Sequence, residues 1–512
     1  MDTIEGDVEA WLAEYSSAKA NGPHLLCDRH PPTSVAFTFV GIDMTSEDLT
    51  FGDIERKSRM YATALRRKGV QAGDRVPVML GKRPELVVTL VALWRIGAVY
   101  VPLFTAFATG AAQMRIEDSK ATLVITEAAH QQKFETLDGL VVLDIADLDG
   151  ESEACEPDDT ADGGQGPLVQ LYTSGTTGKP KGVVVPVRAL ASFQSYLALS
   201  LDVRKSDVYW NAADPGWAYG LYYSVIGPMV AGIRSVVYQG GFTPESTFSV
   251  LDEFGITNFA GAPTMFRAMK ASGGVAERTL RRISSAGEPL TPEILGWAKD
   301  ALGSEVRDHY GQTELGMVIC NHWADSVRRP VLPGSMGSPL PGYTAGIVEG
   351  QIAIDVSSSP LLWFDGYHGA PEKTAERFSD DGRWYLTADT GRVDEQNNFF
   401  FSARDDDVIL AAGYRIGPFD VESVIVTHTD VSEVAVVGRP DPEGIRGEAV
   451  EAFVVLIETA QASDELAAEL QSLVREKYSK HAYPRAVHFV ESLPKTPSGK
   501  IQRFLLRSAP RE

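Results

Sequence analysis

The run YTSGTTGKPKG at residues 172–182 concentrates the groups in this sequence that can hold phosphate. Thr173, Ser174, Thr176 and Thr177 bring hydroxyl donors. Gly175 and Gly178 let backbone N–H groups curl around anionic oxygens, and Lys179 and Lys181 add positive charge. The run begins where the apolar stretch 168–172 ends, which sets it apart from a flexible Ser/Thr/Gly linker. It is not a P-loop: Gly175 and Gly178 stand too close together, and Pro180 after Lys179 offers neither a hydroxyl nor an N–H. The chemistry is that of a phosphate loop of another kind.

Other segments offer complementary groups. In DHYGQTE (308–314), Asp308, His309, Tyr310, Gly311, Gln312 and Thr313 follow a strand-like run and can edge an adenine ring. Glu314 suits a Mg²⁺ ion bridging phosphates; the plain alternative is a surface Glu opening a helix. In TADTGR (387–392), Asp389 can accept ribose hydroxyls or simply form a turn. Arg404 in ARDDD (403–407) can donate to the same sugar. AGEPL (286–290) also follows a strand and contributes Gly287, Glu288 and Pro289. PKTPSGK (494–500) ends in Lys500, by itself a solvated loop lysine.

Taken in order, these segments resemble the motifs of the adenylate-forming superfamily of acyl-CoA synthetases, peptide-synthetase adenylation domains and firefly luciferases. The resemblance spans most of the chain. It implies an α/β large N-terminal domain with mainly parallel sheets, residues 1–405, and a small mobile α+β C-terminal domain, residues 406–512. It further implies catalytic roles for Lys500, Glu314 and Thr177, with Thr177 and Glu314 toward Mg²⁺. ATP or AMP contacts fall on 173–181, 287–289, 308–313, Asp389, Arg404, Arg415 and Lys500. Asp406 corresponds to the hinge, although beside Asp405 and Asp407 it reads otherwise as an acidic turn.

Three segments resemble the CoA-ligating branch. AAGYRIGP (411–418) places Ala412, Gly413 and Tyr414 toward coenzyme A. PDPEGIRG (440–447) resembles a shorter motif of those enzymes, with an insertion before Arg446. Arg475, Tyr483, Pro484 and Arg485 match basic CoA-contacting positions; on an exposed helix face such arginines are otherwise solvated. By position the acid pocket holds Trp217, Tyr219, Tyr222, Gly261 and Gly311, although the aromatics suit core packing equally. Gly311 stands where acetyl-CoA synthetases carry Trp, so an acid larger than acetate is expected. The implied reaction joins a short- to medium-chain acid to coenzyme A through an acyl-adenylate, releasing AMP and pyrophosphate. Alternatives are an acetyl-CoA synthetase-like enzyme and a stand-alone enzyme loading a carrier protein.

The elements that must position these groups follow from hydrophobic pattern. At 512 residues the chain exceeds one ordinary core. Its 44% hydrophobic and 23% charged content are those of a globular protein. A net charge of −22 argues against nucleic acid or an anionic membrane as partner. Cys27, Cys155 and Cys320 lack metal-ligand spacing and fit a reducing cytosol. The acidic start has no signal-peptide core and no apolar run is long enough to span a bilayer, so a cytoplasmic protein is expected. From about 53 to 308, helical periods (54–68, 85–95) alternate with short apolar runs (76–80, 98–103, 122–126, 168–172, 235–238, 257–260, 282–285), which predicts parallel sheets with helical crossovers. Residues 150–166 are acidic and Gly-rich, and read as a surface loop. The pattern restarts near 404–407 as a small unit with a long helix over 464–478.

Overall fold

The structure is a computed structural model that describes residues 4–149, 163–173, 180–404, 407–411, 414–441, 448–495 and 501–509. The first expected helix spans Phe51–Arg67. It starts at Thr50, whose hydroxyl accepts from Asp53 N while the Asp53 carboxylate accepts from Thr50 N, so both orphan donors are satisfied. The second spans Pro84–Ile96, opened by proline at its first position and closed by Gly97 at φ +78°.

The apolar runs pair into two sheets. One has six strands in the order Val141–Asp144, Leu123–Thr126, Arg75–Met79, Val99–Pro102, Pro167–Thr173 and Lys181–Pro186, parallel until the last pair. The other has thirteen strands. Its parallel half joins Val35–Val40, Ser235–Tyr238, Tyr209–Asn211, Asn258–Gly261, Arg282–Ala286 and Val306–Gln312. From Gly316–Cys320 onward it turns antiparallel, through Ser335–Pro339, Phe399–Arg404, Trp384–Val393, Gln351–Asp355 and Ala345–Val348. Up to about residue 308 the strands therefore pair in parallel except at two edges, where Lys181–Pro186 lies antiparallel to Pro167–Thr173 and Ser46–Thr50 antiparallel to Val35–Val40, and the sheets of the large part together are mixed. The physical reason is connection length: beyond 308 successive strands are joined without intervening crossover helices long enough to return the chain in parallel.

A separate apolar core begins at Ile409 and gathers Ile416, Val421, Val436, Val454, Leu470 and Val474. It fills the space between a three-stranded sheet (Val431–Pro440, Glu448–Leu456, Ala486–Phe489) and the helices Pro418–Ile425 and Asp464–Lys477. Ser463 caps the longer helix by accepting from Leu466 N at 3.1 Å. This small unit meets the large sheet closely: a Cβ on Gly417 would lie 2.6 Å from the Ser402 carbonyl oxygen. Among the described residues no helix is long and apolar enough to cross a membrane. Cys27 and Cys320 are buried free thiols; Cys155, with most of the acidic 150–166 segment, lies outside the described residues.

Candidate active site

The residues singled out at 308–314 lie on the strand Val306–Gln312 and in the turn that joins it to Gly316–Cys320. A strand alternates its side chains, so these residues divide. Tyr310 and Gln312 both donate to Asp389 Oδ2, at 2.5 and 2.6 Å. His309 points into the core instead. Its Nε2 lies 3.1 Å from the Asn321 carbonyl, its Nδ1 2.7 Å from the Tyr196 hydroxyl, and burial pushes its pKa down to about 3. A neutral ring donating from Nε2 and accepting at Nδ1 satisfies both contacts. The His309 side chain is therefore a core group. Asp308 also departs from expectation: its carboxylate is buried and accepts from Leu290 N at 3.2 Å, holding the 286–290 loop. Its other oxygen has no partner among the described residues, and burial raises its pKa to about 8.

Asp389 reaches the site because its strand is bulged. Across Trp384–Val393 and Gln351–Asp355 the register shifts between Gln351, facing Thr390, and Ala353, facing Leu386. Ala388 sits there at φ +59°, a left-handed conformation costly for a residue with a Cβ. Thr387 Oγ1 bonds the Ile352 carbonyl at 2.6 Å and accepts from Asp389 N at 3.1 Å, which fixes the bulge. Asp389 Oδ2 is used by Tyr310 and Gln312; toward Oδ1 comes Arg404 Nε, at 3.8 Å. Burial raises this carboxyl's pKa, and Arg404, Tyr310 and Gln312 pull it back in part. An open acceptor on a carboxylate held from behind is what a ribose hydroxyl requires.

Glu314 is buried in the hairpin turn, so it opens no helix. Its Oε1 accepts from the Tyr367 hydroxyl at 2.7 Å. Arg377 Nε in turn donates to that hydroxyl at 2.9 Å, and its Nη1 to the Thr387 carbonyl at 3.2 Å. Lys181 Nζ lies 5.0 Å above the Tyr367 ring, and burial with Arg377 nearby lowers the Lys181 pKa. Sequence reasoning missed Tyr367 and Arg377. A Tyr after Gly366 and an Arg in a charged turn carry no signal until folding brings them to Glu314.

In the phosphate run, Thr173 pairs with Lys181 across antiparallel strands. Pro180 is half-buried. Ser174, Gly175, Thr176, Thr177, Gly178 and Lys179 lie outside the described residues, as do Asp406, Ala412, Gly413, Arg446, Lys500 and the Arg415 side chain. In the 286–290 loop Gly287 adopts φ +103°, and Glu288 pairs with Arg267 at 3.0 Å. Pro289 completes that loop.

The proposed acid-pocket residues are not equivalent. Tyr222 is fully buried, stacked on Phe193 at 4.6 Å, and donates to the Thr313 carbonyl at 3.0 Å. It supports the hairpin turn. Trp217 is half-buried between Phe104 and Phe107 at 5.3 and 5.5 Å. The Tyr219 hydroxyl lies 3.1 Å from that of Tyr196. Gly261 closes its strand, where a Cβ would come 3.3 Å from Phe259. At Gly311 a Cβ would lie 2.1 Å from the Gly316 carbonyl oxygen and 2.7 Å from Met317 Cα. Glycine there is demanded by this approach of two strands, so its presence says nothing about acid length. A cleft beside the 214–220 segment is walled by Lys82, Asn211, Ala213, Pro215, Tyr238 and Met265; none of the five expected residues lines it.

On the small unit, Arg475 and Arg485 place their guanidinium groups 4.1 and 3.9 Å from the Tyr483 ring centroid. Tyr414 stacks on His481 at 4.3 Å. Arg475, Tyr414 and His481 are exposed, and Pro484 is buried.

Among the described residues no group of three His, Cys, Asp or Glu side chains could encage a metal. One carboxylate with a free oxygen, as at Glu314, does fit Mg²⁺, which commonly binds one or two carboxylates and completes its shell with phosphates and water.

The site thus joins two buried carboxylates, Glu314 and Asp389, with Lys181 over the ring of the tyrosine that holds the first. The profile of "AMP-binding enzyme" matches residues 26–353, and that of "AMP-binding enzyme C-terminal domain" matches 420–500. An acetyl-coenzyme A synthetase of Bacillus subtilis is 34% identical, over 96% of this chain and 91% of its own. A mitochondrial acyl-coenzyme A synthetase of Mus musculus is 35% identical over 92% and 86%. The crystal structure of a Brucella canis acyl-CoA synthetase superposes with a TM-score of 0.75 at 42% identity, covering 98% of this chain and 96% of that one. The chain belongs to the AMP-binding enzyme family.

Proposed function

We propose that this enzyme joins a short- to medium-chain carboxylic acid to coenzyme A at the expense of ATP, releasing AMP and pyrophosphate. The observation that carries the reading is the joint presentation of Glu314, in the turn after the strand Val306–Gln312, and Asp389, on the bulged strand Trp384–Val393, the two elements being cross-linked through Tyr310 and Gln312. Asp389 would hold the ribose, and Tyr310 would edge the adenine opposite the 286–290 loop. Glu314 and Thr177 would hold Mg²⁺, which when bound neutralises phosphate charge.

In the first half-reaction an acid carboxylate oxygen attacks the α-phosphorus. The bond from that phosphorus to the bridging oxygen breaks, and pyrophosphate leaves with the electron pair. Lys500 would offset the charge that develops there. Two anchors support this role: Lys495 Nζ bonds Glu433 Oε1 at 2.8 Å before the 496–500 segment, and Arg503 Nη2 bonds both Glu422 oxygens at 2.8 and 2.9 Å after it. In the second half-reaction the coenzyme A sulfur attacks the acyl carbon, AMP leaves, and the thiol proton passes to solvent. The paired arginines on Tyr483 suit the anionic nucleotide end of coenzyme A. We place the boundary of two domains between residues 405 and 406, with Asp406 as pivot; the change from the large core, whose last members are Phe399 and Phe401, to the small one, which begins at Ile409, supports this.

The test is a carboxylic-acid panel with ATP, Mg²⁺ and coenzyme A, reading pyrophosphate release and thioester together. The expected result is stoichiometric thioester and AMP with a C2–C8 acid. Pyrophosphate release with no thioester until a pantetheinylated carrier protein is supplied would overturn the coenzyme A assignment.

A further inference from the structure

The groups behind Glu314 form a chain whose direction is fixed by chemistry. A guanidinium N–H can only donate, so Arg377 Nε donates to the Tyr367 oxygen at 2.9 Å. That leaves the single Tyr367 proton for Glu314 Oε1 at 2.7 Å. Arg377 is itself held by the Thr387 carbonyl at 3.2 Å, two residues before Asp389. The Tyr367 ring is buried, packs against Phe364 at 5.1 Å, and carries Lys181 above it. No second acceptor among the described residues competes for its hydroxyl. One oxygen of Glu314 is thus engaged from behind while Oε2 takes no bond from the described residues.

We propose that Tyr367 and Arg377 are positioning residues that hold Glu314 in one orientation, so that Oε2 alone is presented to the metal–nucleotide complex. The inference rests on the reading of Glu314 as the metal-facing carboxylate. It also joins the two carboxylates mechanically, since Arg377 is tied to the Thr387 backbone that shapes the Asp389 bulge. Neither residue touches substrate in this account. Both act through Glu314.

The test reads binding as well as turnover. Wild type, Tyr367→Phe, Arg377→Lys, Arg377→Met and Glu314→Gln are titrated with Mn²⁺ and α,β-methylene-ATP, following bound Mn²⁺ by electron paramagnetic resonance. Adenylation is followed across a Mg²⁺ titration, and thioester formation from supplied acyl-adenylate is measured in parallel. Loss of one hydrogen bond to a charged group predicts Mn²⁺ binding weakened roughly 10-fold in Tyr367→Phe, with the Mg²⁺ midpoint raised to match. Arg377→Lys should recover part of what Arg377→Met loses. Thioester formation from acyl-adenylate should be unchanged in Tyr367→Phe. Because the groups act as a unit, Tyr367→Phe should add little on top of Glu314→Gln. Wild-type Mn²⁺ binding in Tyr367→Phe, alongside clear loss in Glu314→Gln, overturns the positioning chain and leaves the metal assignment standing. Wild-type binding in Glu314→Gln overturns both.

Discussion

The surroundings of Asp389 and Glu314 and the outer face of the small unit are built on opposite plans. Around Asp389 and Glu314 the polar groups are buried and cross-bonded: Tyr310, Gln312 and Tyr385 on one side, Tyr367 and Arg377 on the other. On the small unit, Arg475, Arg485, Tyr414 and His481 lie in the open, held by stacking. A buried, pre-bonded site loses little freedom when ligand arrives and punishes each missing partner. An exposed stack is screened by water and contributes less per contact. The first plan suits a ligand whose every atom must be placed for reaction; the second suits one held by its far end.

The sharpest way to break this contrast lies in the segment that would pass between the two regions. Lys500→Ala should lower adenylation about 10²–10³-fold and leave thioester formation from supplied acyl-adenylate near wild type. Equal loss in both half-reactions, by pyrophosphate exchange and single-turnover thioester assay, would remove the lysine from its proposed role. Next in size, Asp389→Asn should raise the KM for ATP roughly 10–100-fold, since it removes a charged acceptor from a buried network. An ATP KM within twofold of wild type would return Asp389 to a turn former.

A subtler measure of the buried plan is its dependence on pH. The Asp308 pKa is raised from 3.8 to about 8 in the fold. Between those values the unfolded chain is the more ionised, so this group's contribution is full below about pH 4 and is lost as pH rises toward 8. The slope approaches about 1.4 kcal/mol per pH unit. Asp308→Asn, which keeps the acceptor for Leu290 N, should flatten that part of a stability–pH curve measured by denaturant unfolding. Identical curves would mean Asp308 stays ionised in the fold. The smallest effect belongs to the exposed plan. Tyr483→Ala should raise the KM for coenzyme A about 3–10-fold without touching pyrophosphate exchange. A loss of exchange would show that the stack serves the region around Asp389 and Glu314.

The same contrast governs what could be read from sequence. The strand Ser235–Tyr238 and the helix Asp464–Lys477 follow single unbroken periods and lie where the pattern put them. The strand Trp384–Val393 alternates in burial as far as Asp389, but from Thr387 its buried positions are filled by polar residues, so pattern reading passes over it. Glu314 and Asp389 stood out because their neighbours in sequence are distinctive. Tyr367 did not: its bond to Glu314 spans 53 residues, and Gly-Tyr is a common pair of letters. That the His309 ring turns into the core was hidden for a simpler reason. A motif is read as a line of letters, whereas a strand sends alternate letters to opposite sides.

The crossing at Gly311 has an evolutionary consequence. Gly316, whose carbonyl oxygen it approaches, holds φ +69°, and a Cβ there would meet the Tyr223 hydroxyl at 2.7 Å. Neither glycine can be exchanged alone without moving backbone. A lineage that altered the acid it accepts by placing a bulky group at 311 would need compensating change around 316–317 and Tyr223 first. A side chain at 311 is therefore epistatic with its neighbours, open to substitution only after the packing of the two strands has changed.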